Sequence, residues 1–247
     1  MKKILVISNS FGQDANRYLY GICRSAGEEI KVVTLYIGGC TLYRHYRNML
    51  SEEKAYSLEL NGISSGFFVS LKEALLSHEW DIVTFQQAST YSGDYETYQP
   101  FLDELSAYVK KLVPKAKQYI HAIWAWSDSK LALSHLPYET AKQMYAADHA
   151  AYKKAAEAIS ADGYIPATAA MEKLYAKLGD AAYRDGFHAN LGSARYMLAL
   201  VWYMTLFGKD NIDAVSFSDF DIPVTDEEKK IAEACAIEAV RENNYKK

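Results

Sequence analysis

The sequence predicts an α/β fold built on a mostly parallel sheet with helices on both faces. Three observations lead there. Five short apolar, β-branched runs recur along the chain, helical stretches separate them, and polar or glycine-rich residues end several of them. Such alternation is the signature of parallel strands joined through helices. The chain has 247 residues, 50% of them hydrophobic, enough for one sizeable core. No internal repeat, low-complexity tract or linker interrupts it, so a single domain spanning 1–247 is expected.

Residues 3–8 form the first predicted strand, an apolar run suited to burial on both faces. A helix follows over about 14–25. Residues 30–37 are the second strand, ended by Gly38-Gly39, and a helix is predicted over 42–54. In 55–70, Tyr56, Leu58 and Leu60 alternate with polar residues. Asn61-Gly62 and then Phe67-Phe68-Val69 follow, which predicts a β-hairpin inserted into the α/β unit. A helix at 71–78 leads to the third strand, 80–85, which runs into Gln86-Gln87. An amphipathic helix over 97–113 is stopped by Pro114. Residues 119–124 are the fourth strand, 138–160 an alanine-rich helix, and 164–166 a short fifth strand. Helices are predicted over 168–178, over the strongly apolar 190–207 and over 225–243. The last opens with a capping box from Thr225 to Glu228.

Composition excludes several function classes. Lys plus Arg number 27 against 31 Asp plus Glu, a formal charge of -4. That balance argues against nucleic acid as a partner, since phosphate binding draws on clustered positive charge. No run approaches the roughly 18–20 apolar residues a membrane helix needs, so no membrane partner is expected. Three widely spaced cysteines (Cys23, Cys40, Cys235) with no C-x-x-C speak against a disulfide framework or zinc site. The apolar start, Ile4 to Ile7, is too short for a signal peptide. A cytoplasmic location is the expectation, and a leader already removed would reverse it.

In doubly wound sheets, ligands bind beyond the carboxyl ends of the strands. Three polar clusters are predicted there: Ser8-Asn9-Ser10, Gly38-Gly39-Cys40-Thr41 and Gln86-Gln87-Ala88-Ser89. A fourth, Asp185-Gly186-Phe187-His188, lies just ahead of a helix. Together they suit acyl transfer. A serine hydroxyl needs a base within reach, and the base needs an orienting carboxylate. His188 and Asp185 supply both. Donors for a developing oxyanion are expected from backbone N–H groups and a side-chain amide.

These residues resemble the SGNH, or GDSL, hydrolase superfamily of esterases, lipases and carbohydrate deacetylases. Asn9-Ser10 stands where the family has Asp-Ser after its first strand. Asp185-Gly186-Phe187-His188 matches its D-x-x-H block. Gly39 fits its glycine block best, with Gly38 next. The G-x-N-D block is absent, and Gln86-Gln87-Ala88-Ser89 is closer to the Q-G-E-S type seen in carbohydrate esterases. The resemblance implies a flavodoxin-like three-layer α/β/α fold and hydrolysis of an O-acyl ester, small-molecule or carbohydrate, through an acyl-enzyme. It implies no metal or organic cofactor. Ser10, Asp185 and His188 would be catalytic. Ser10, Gly39 and Gln86 would form the oxyanion hole, with Gln86 favoured over Gln87. Gln87 would contact substrate; apart from the resemblance, Trp124 and Trp126 both follow the fourth strand, so one of them is expected to face the site, and Trp124 is taken as the substrate contact. A different reading makes the chain a non-catalytic module on the same fold, binding flavin, phosphate or a glycan. Ser8-Asn9-Ser10-Phe11-Gly12 faintly resembles a flavodoxin phosphate loop, and a helix N-terminus favours anions. That reading leaves Asp185 and His188 without a role.

Overall fold

In the computed structural model, which describes residues 1–243, the chain forms a seven-stranded sheet flanked by helices. The last four residues of the predicted 1–247 span lie outside the described residues. In chain order the elements are β1 (Lys2–Ser8), α1 (Ser10–Asn16), α2 (Leu19–Ser25), β2 (Ile30–Tyr36), α3 (Leu42–Ser51), β3 (Tyr56–Leu60), β4 (Ile63–Val69) and α4 (Leu71–Leu76). Then come β5 (Ile82–Phe85), α5 (Phe101–Leu112), β6 (Lys117–His121), α6 (Asp128–Leu131), α7 (Ala141–Ala158), β7 (Gly163–Ile165), α8 (Ala167–Leu178), α9 (Ser193–Phe207) and α10 (Asp226–Glu242). The strand order is β4-β3-β2-β1-β5-β6-β7.

The five strands β2, β1, β5, β6 and β7 pair in parallel. Here the expected count of five needs correction to seven. The segments on either side of Asn61-Gly62 pair antiparallel with each other, and β3 pairs antiparallel with β2. They therefore extend the sheet at its edge. The physical reason is that β2 would otherwise leave its outer backbone groups unpaired. Asn61 and Gly62 both have positive φ, as the turn requires.

The middle of the sheet is the core. Ile4, Leu5 and Val6 of β1 are fully buried, each such side chain contributing roughly 1.5–3 kcal/mol of burial. Helices α1, α2, α8 and α10 pack against α9, whose residues from Tyr196 to Met204 are all buried. This explains why 190–207 is apolar all round rather than on one stripe. Helices α3, α4 and α5 pack together as a second group.

The first helix differs from expectation where it matters for the site. It begins at Ser10 rather than near residue 14, and breaks between Asn16 and Leu19. Asn9, not Ser10, is its N-cap, accepting from the Phe11 N–H at 3.0 Å, a contact worth about 1 kcal/mol. The capping role thus falls to Asn9, and the Ser10 side chain is left free of it. Among the described residues, no helix is long and apolar enough to cross a membrane.

Candidate functional site

The carboxyl ends of β1, β2 and β5 open onto one cleft with a volume of about 470 Å³. Ser10, Gly39, Ser89 and His188 all line it, so all four predicted polar clusters reach this edge. The cleft walls carry Tyr36, Trp126 and Phe187, and none of the lining side chains is a carboxylate, amine or guanidinium.

Ser10 sits on the first turn of α1, directly after β1. Its Oγ lies 2.8 Å from His188 Nε2. Across the ring, His188 Nδ1 lies 2.7 Å from Asp185 Oδ2. The other Asp185 oxygen accepts from the His188 backbone N–H at 2.8 Å. The carboxylate at Nδ1 favours the Nδ1–H form of His188 and leaves Nε2 to accept from the serine, while the backbone bond holds the carboxylate in place. Burial pushes the Asp185 carboxyl up, but the hydrogen bonds it accepts from His188 outweigh this and hold it below the usual carboxylate value.

The D-x-x-H loop is tied down from several sides. Trp124 Nε1 donates to the Phe187 carbonyl at 2.8 Å, and the Ser127 N–H donates to the Gly186 carbonyl at 2.8 Å. Arg184 donates to Asp14 of α1 and to the Ala189 carbonyl. The His188 ring packs between Phe187, at 4.1 Å between centroids, and Phe11, at 5.6 Å.

Two backbone donors border the cleft beside Ser10. The N–H of Ser10 belongs to the first turn of a helix, whose N–H groups have no intrahelical partner. Gly39 follows β2 at φ +60°, a conformation in which a side chain would be strained.

Gln86 requires a correction. Expected to point its amide at the oxyanion, it is instead 2% exposed and does not line the cleft. Its Nε2 donates to Asn9 Oδ1 at 2.7 Å, and its Oε1 faces His121 Nδ1 at 2.8 Å. Asn9 in turn donates from Nδ2 to the Cys40 carbonyl at 3.0 Å. The result is a buried chain of hydrogen bonds, His121 to Gln86 to Asn9 to Cys40, running across the ends of β6, β5, β1 and β2. It sets the Gly39 loop against the Ser10 turn. Gly12 is needed for this close approach, since a Cβ there would lie 2.4 Å from Ser8 Oγ and 2.9 Å from Gln86 Oε1.

Gln87 and Trp124 are corrected likewise. Gln87 accepts from the Leu42 and Ala88 N–H groups and donates to Thr97, so its amide ties β5 to α3 and the following loop. Trp124 is fully buried against Phe11, at 4.6 Å between centroids. Trp126, two residues on, is the tryptophan that faces the cleft. Ser89 and Phe187, members of predicted clusters that were given no individual role, also line it, as does Tyr36, which the sequence did not single out. The one available signal for Tyr36 was its place at the end of the second strand.

The buried histidine beneath the site has a measurable consequence. Burial pulls His121 down to about 3, and burial with the nearby Arg44 does the same to His45. Nε2 of each ring is buried without a partner, so protonation would bury an unpaired N–H as well as a charge. In the unfolded chain these groups titrate near 6.5. Their folded values are depressed, so the stability they contribute is intact above about pH 6.5 and is lost as pH falls toward 3. The loss is about 1.4 kcal/mol per pH unit for each imidazole. Urea unfolding between pH 7 and pH 4 should show this slope, and His121→Gln should remove about half of it. An unchanged slope in that variant would refute the assignment.

Among the described residues, no cluster of three or more His, Cys, Asp or Glu side chains could hold a metal ion. Residues 3–239 match the family described as Domain of unknown function (DUF4886), and the chain therefore belongs to that family. Among solved structures it is similar to a DUF4886 family protein from Bacteroides uniformis, with 28% identity, a TM-score of 0.88 and coverage of 97% of this chain and 95% of that one. It is also similar to the psychrotrophic esterase EstA from Pseudoalteromonas sp., in a structure inhibited by monoethylphosphonate (13% identity, TM-score 0.55, 84% of this chain and 98% of that one). A third is the Clostridium thermocellum family 3 carbohydrate esterase (13% identity, TM-score 0.54, 84% and 96%). At these low identities the two esterases show a shared fold alone. No curated protein matches the chain.

Proposed function

We propose that this DUF4886 protein is a serine-dependent carboxylic ester hydrolase that cleaves a short O-acyl ester through an acyl-enzyme. The observation that carries the reading is the continuous hydrogen-bonded chain from Ser10 Oγ through His188 to Asp185, open to a cleft at the carboxyl edge of the sheet. A serine held 2.8 Å from an imidazole nitrogen whose other nitrogen faces a carboxylate supports a nucleophilic role.

In the first half-reaction Ser10 Oγ attacks the ester carbonyl while its proton passes to His188 Nε2. The tetrahedral oxyanion accepts hydrogen bonds from the Ser10 and Gly39 N–H groups. Collapse breaks the ester C–O bond, and His188 returns the proton to the leaving alcohol. Water then repeats the sequence on the acyl-Ser10 ester, releasing the acid and the free serine. Asp185 stabilises the transient imidazolium without itself taking the proton.

The cleft walls suit an uncharged substrate. With no carboxylate, amine or guanidinium in the lining and with Trp126 and Tyr36 as flat aromatic surfaces, an O-acetylated sugar is the fitting class. Aromatic faces pack against sugar rings, while nothing at hand would neutralise a charged acyl chain. The fold shared with a carbohydrate esterase agrees with this.

A fluorophosphonate probe tests the reading directly. It should add covalently to the Ser10 peptide, found by mass spectrometry, in a protein that also hydrolyses 4-nitrophenyl acetate and acetylated glucose. A protein that neither labels nor turns over these esters would instead favour the non-catalytic glycan-binding alternative.

A further inference from the structure

With the Gln86 amide turned inward, the oxyanion has two backbone donors and no side chain, and the structure supplies a different candidate. We infer that Ser89 donates the third hydrogen bond to the oxyanion, through its Oγ–H, and that Trp126 aims it. The inference rests on the ester-hydrolase reading above.

Ser89 follows β5, lines the cleft with Ser10 and Gly39, and is 7% exposed. Trp126 Nε1 donates to Ser89 Oγ at 3.0 Å. An indole nitrogen can only donate, so at this contact the serine oxygen must accept. A hydroxyl carries one proton, and among the described residues no acceptor is found for that of Ser89. The proton is thus unspent, while the oxygen is pinned by a half-buried partner in the cleft wall. The backbone is pinned as well: Ser92 Oγ donates to the Ser89 carbonyl at 3.0 Å, and the Tyr91 N–H donates to the Ala88 carbonyl at 2.9 Å. A held donor with no competing acceptor is the arrangement that stabilises developing charge at no cost in reorganisation. The neighbouring Thr90 also lines the cleft but is exposed, and water competes for its hydroxyl. Gln86 and Gln87 have already committed their amides elsewhere.

The donor acts on the oxyanion, which exists only in the transition state, so its removal should lower kcat and leave KM nearly unchanged. For Ser89→Ala, kcat toward 4-nitrophenyl acetate should fall by about a hundredfold, with KM within about threefold. Trp126→Phe keeps the hydroxyl but removes its anchor, so it should lower kcat by about tenfold at similar KM. This second variant also keeps the test alive should Ser89→Ala fold poorly. Folded variants with wild-type kcat, or a loss confined to KM, would overturn the role of Ser89. Failure of the wild-type protein to label at Ser10 would overturn the hydrolase reading itself, which separates the two outcomes.

Discussion

His188→Gln is expected to lower turnover of a short aryl ester by at least about a thousandfold while leaving thermal unfolding almost unchanged. Under the proposed mechanism the imidazole takes and returns a proton in both half-reactions. A glutamine amide can reach Ser10 but cannot accept a proton at neutral pH. Ser10→Ala should be as damaging, and the double variant no worse than either single one, because the two groups act as a unit. That non-additivity is the informative result. A double variant far below both singles would mean that each contributes independently, against proton transfer between them. Asp185→Asn should cost less. The Asp185 side chain is 41% exposed, so solvent screens its charge, although its hydrogen bonds to His188 still orient the ring. Steady-state kinetics with 4-nitrophenyl acetate on the four variants decides among these outcomes.

Asp14→Ala is expected to destabilise the protein by about 3–5 kcal/mol, which for a chain of this size lowers Tm by on the order of 10 °C. Asp14 is 0% exposed and accepts from two guanidinium groups. Arg184 Nη1 lies 2.9 Å from both of its oxygens, and Arg195 reaches Oδ1 from Nε at 3.0 Å and Nη2 at 2.7 Å. Arg195 continues to Asp221, which also pairs with Arg17. Removing the carboxylate leaves two charges without their buried counter-charge, and that penalty is much larger than the net worth of an exposed ion pair. The consequence should extend to the site. Asp14 lies on α1, four residues after Ser10, and Arg184 immediately precedes Asp185, so this ion pair spans the serine helix and the D-x-x-H loop. Ester turnover measured well below the lowered Tm should therefore fall in Asp14→Ala. Full activity in that variant would mean that the loop is held by its backbone bonds to Trp124 and Ser127 alone.

The elements that were legible share a local cause. β1 is a run of four apolar residues bounded by polar ones, and burial on both faces leaves no other use for it. Thr225 and Glu228 form the capping box that their spacing implied. The extent of the sheet was less legible. The alternation in 56–60 and the Asn-Gly turn show in the sequence, but whether such a hairpin stands apart or joins an edge depends on the unpaired backbone of β2, which is 20 or more residues away. Within the candidate site, Ser10 and the Asp185–His188 pair could be read because their chemistry demands each other. The side chains of the two glutamines could not be placed. Gln86 is drawn inward by Asn9 and His121, partners 77 and 35 residues distant, and an amide near either loop would look the same in sequence. Trp124 and Trp126 differ only in which ring finds the space beside Phe11, and that is decided by packing.

What the sequence by itself determined is the order of chemistry along the chain: a serine after the first strand, a glycine pair after the second, and an aspartate and histidine three residues apart before an apolar helix. These depend on residue type and on short-range spacing, both of which are written in one dimension. What only the tertiary structure decided is which polar groups remain unspent once the strand ends are brought together. Hydrogen bonds saturate, so a group's availability to a substrate is set by whether a distant neighbour has already claimed it. Gln86 and Gln87 are claimed, the Asn9 side chain caps and braces, and the Ser89 proton is left over. The serine was visible from the start, whereas the groups gathered around it are a property of the fold.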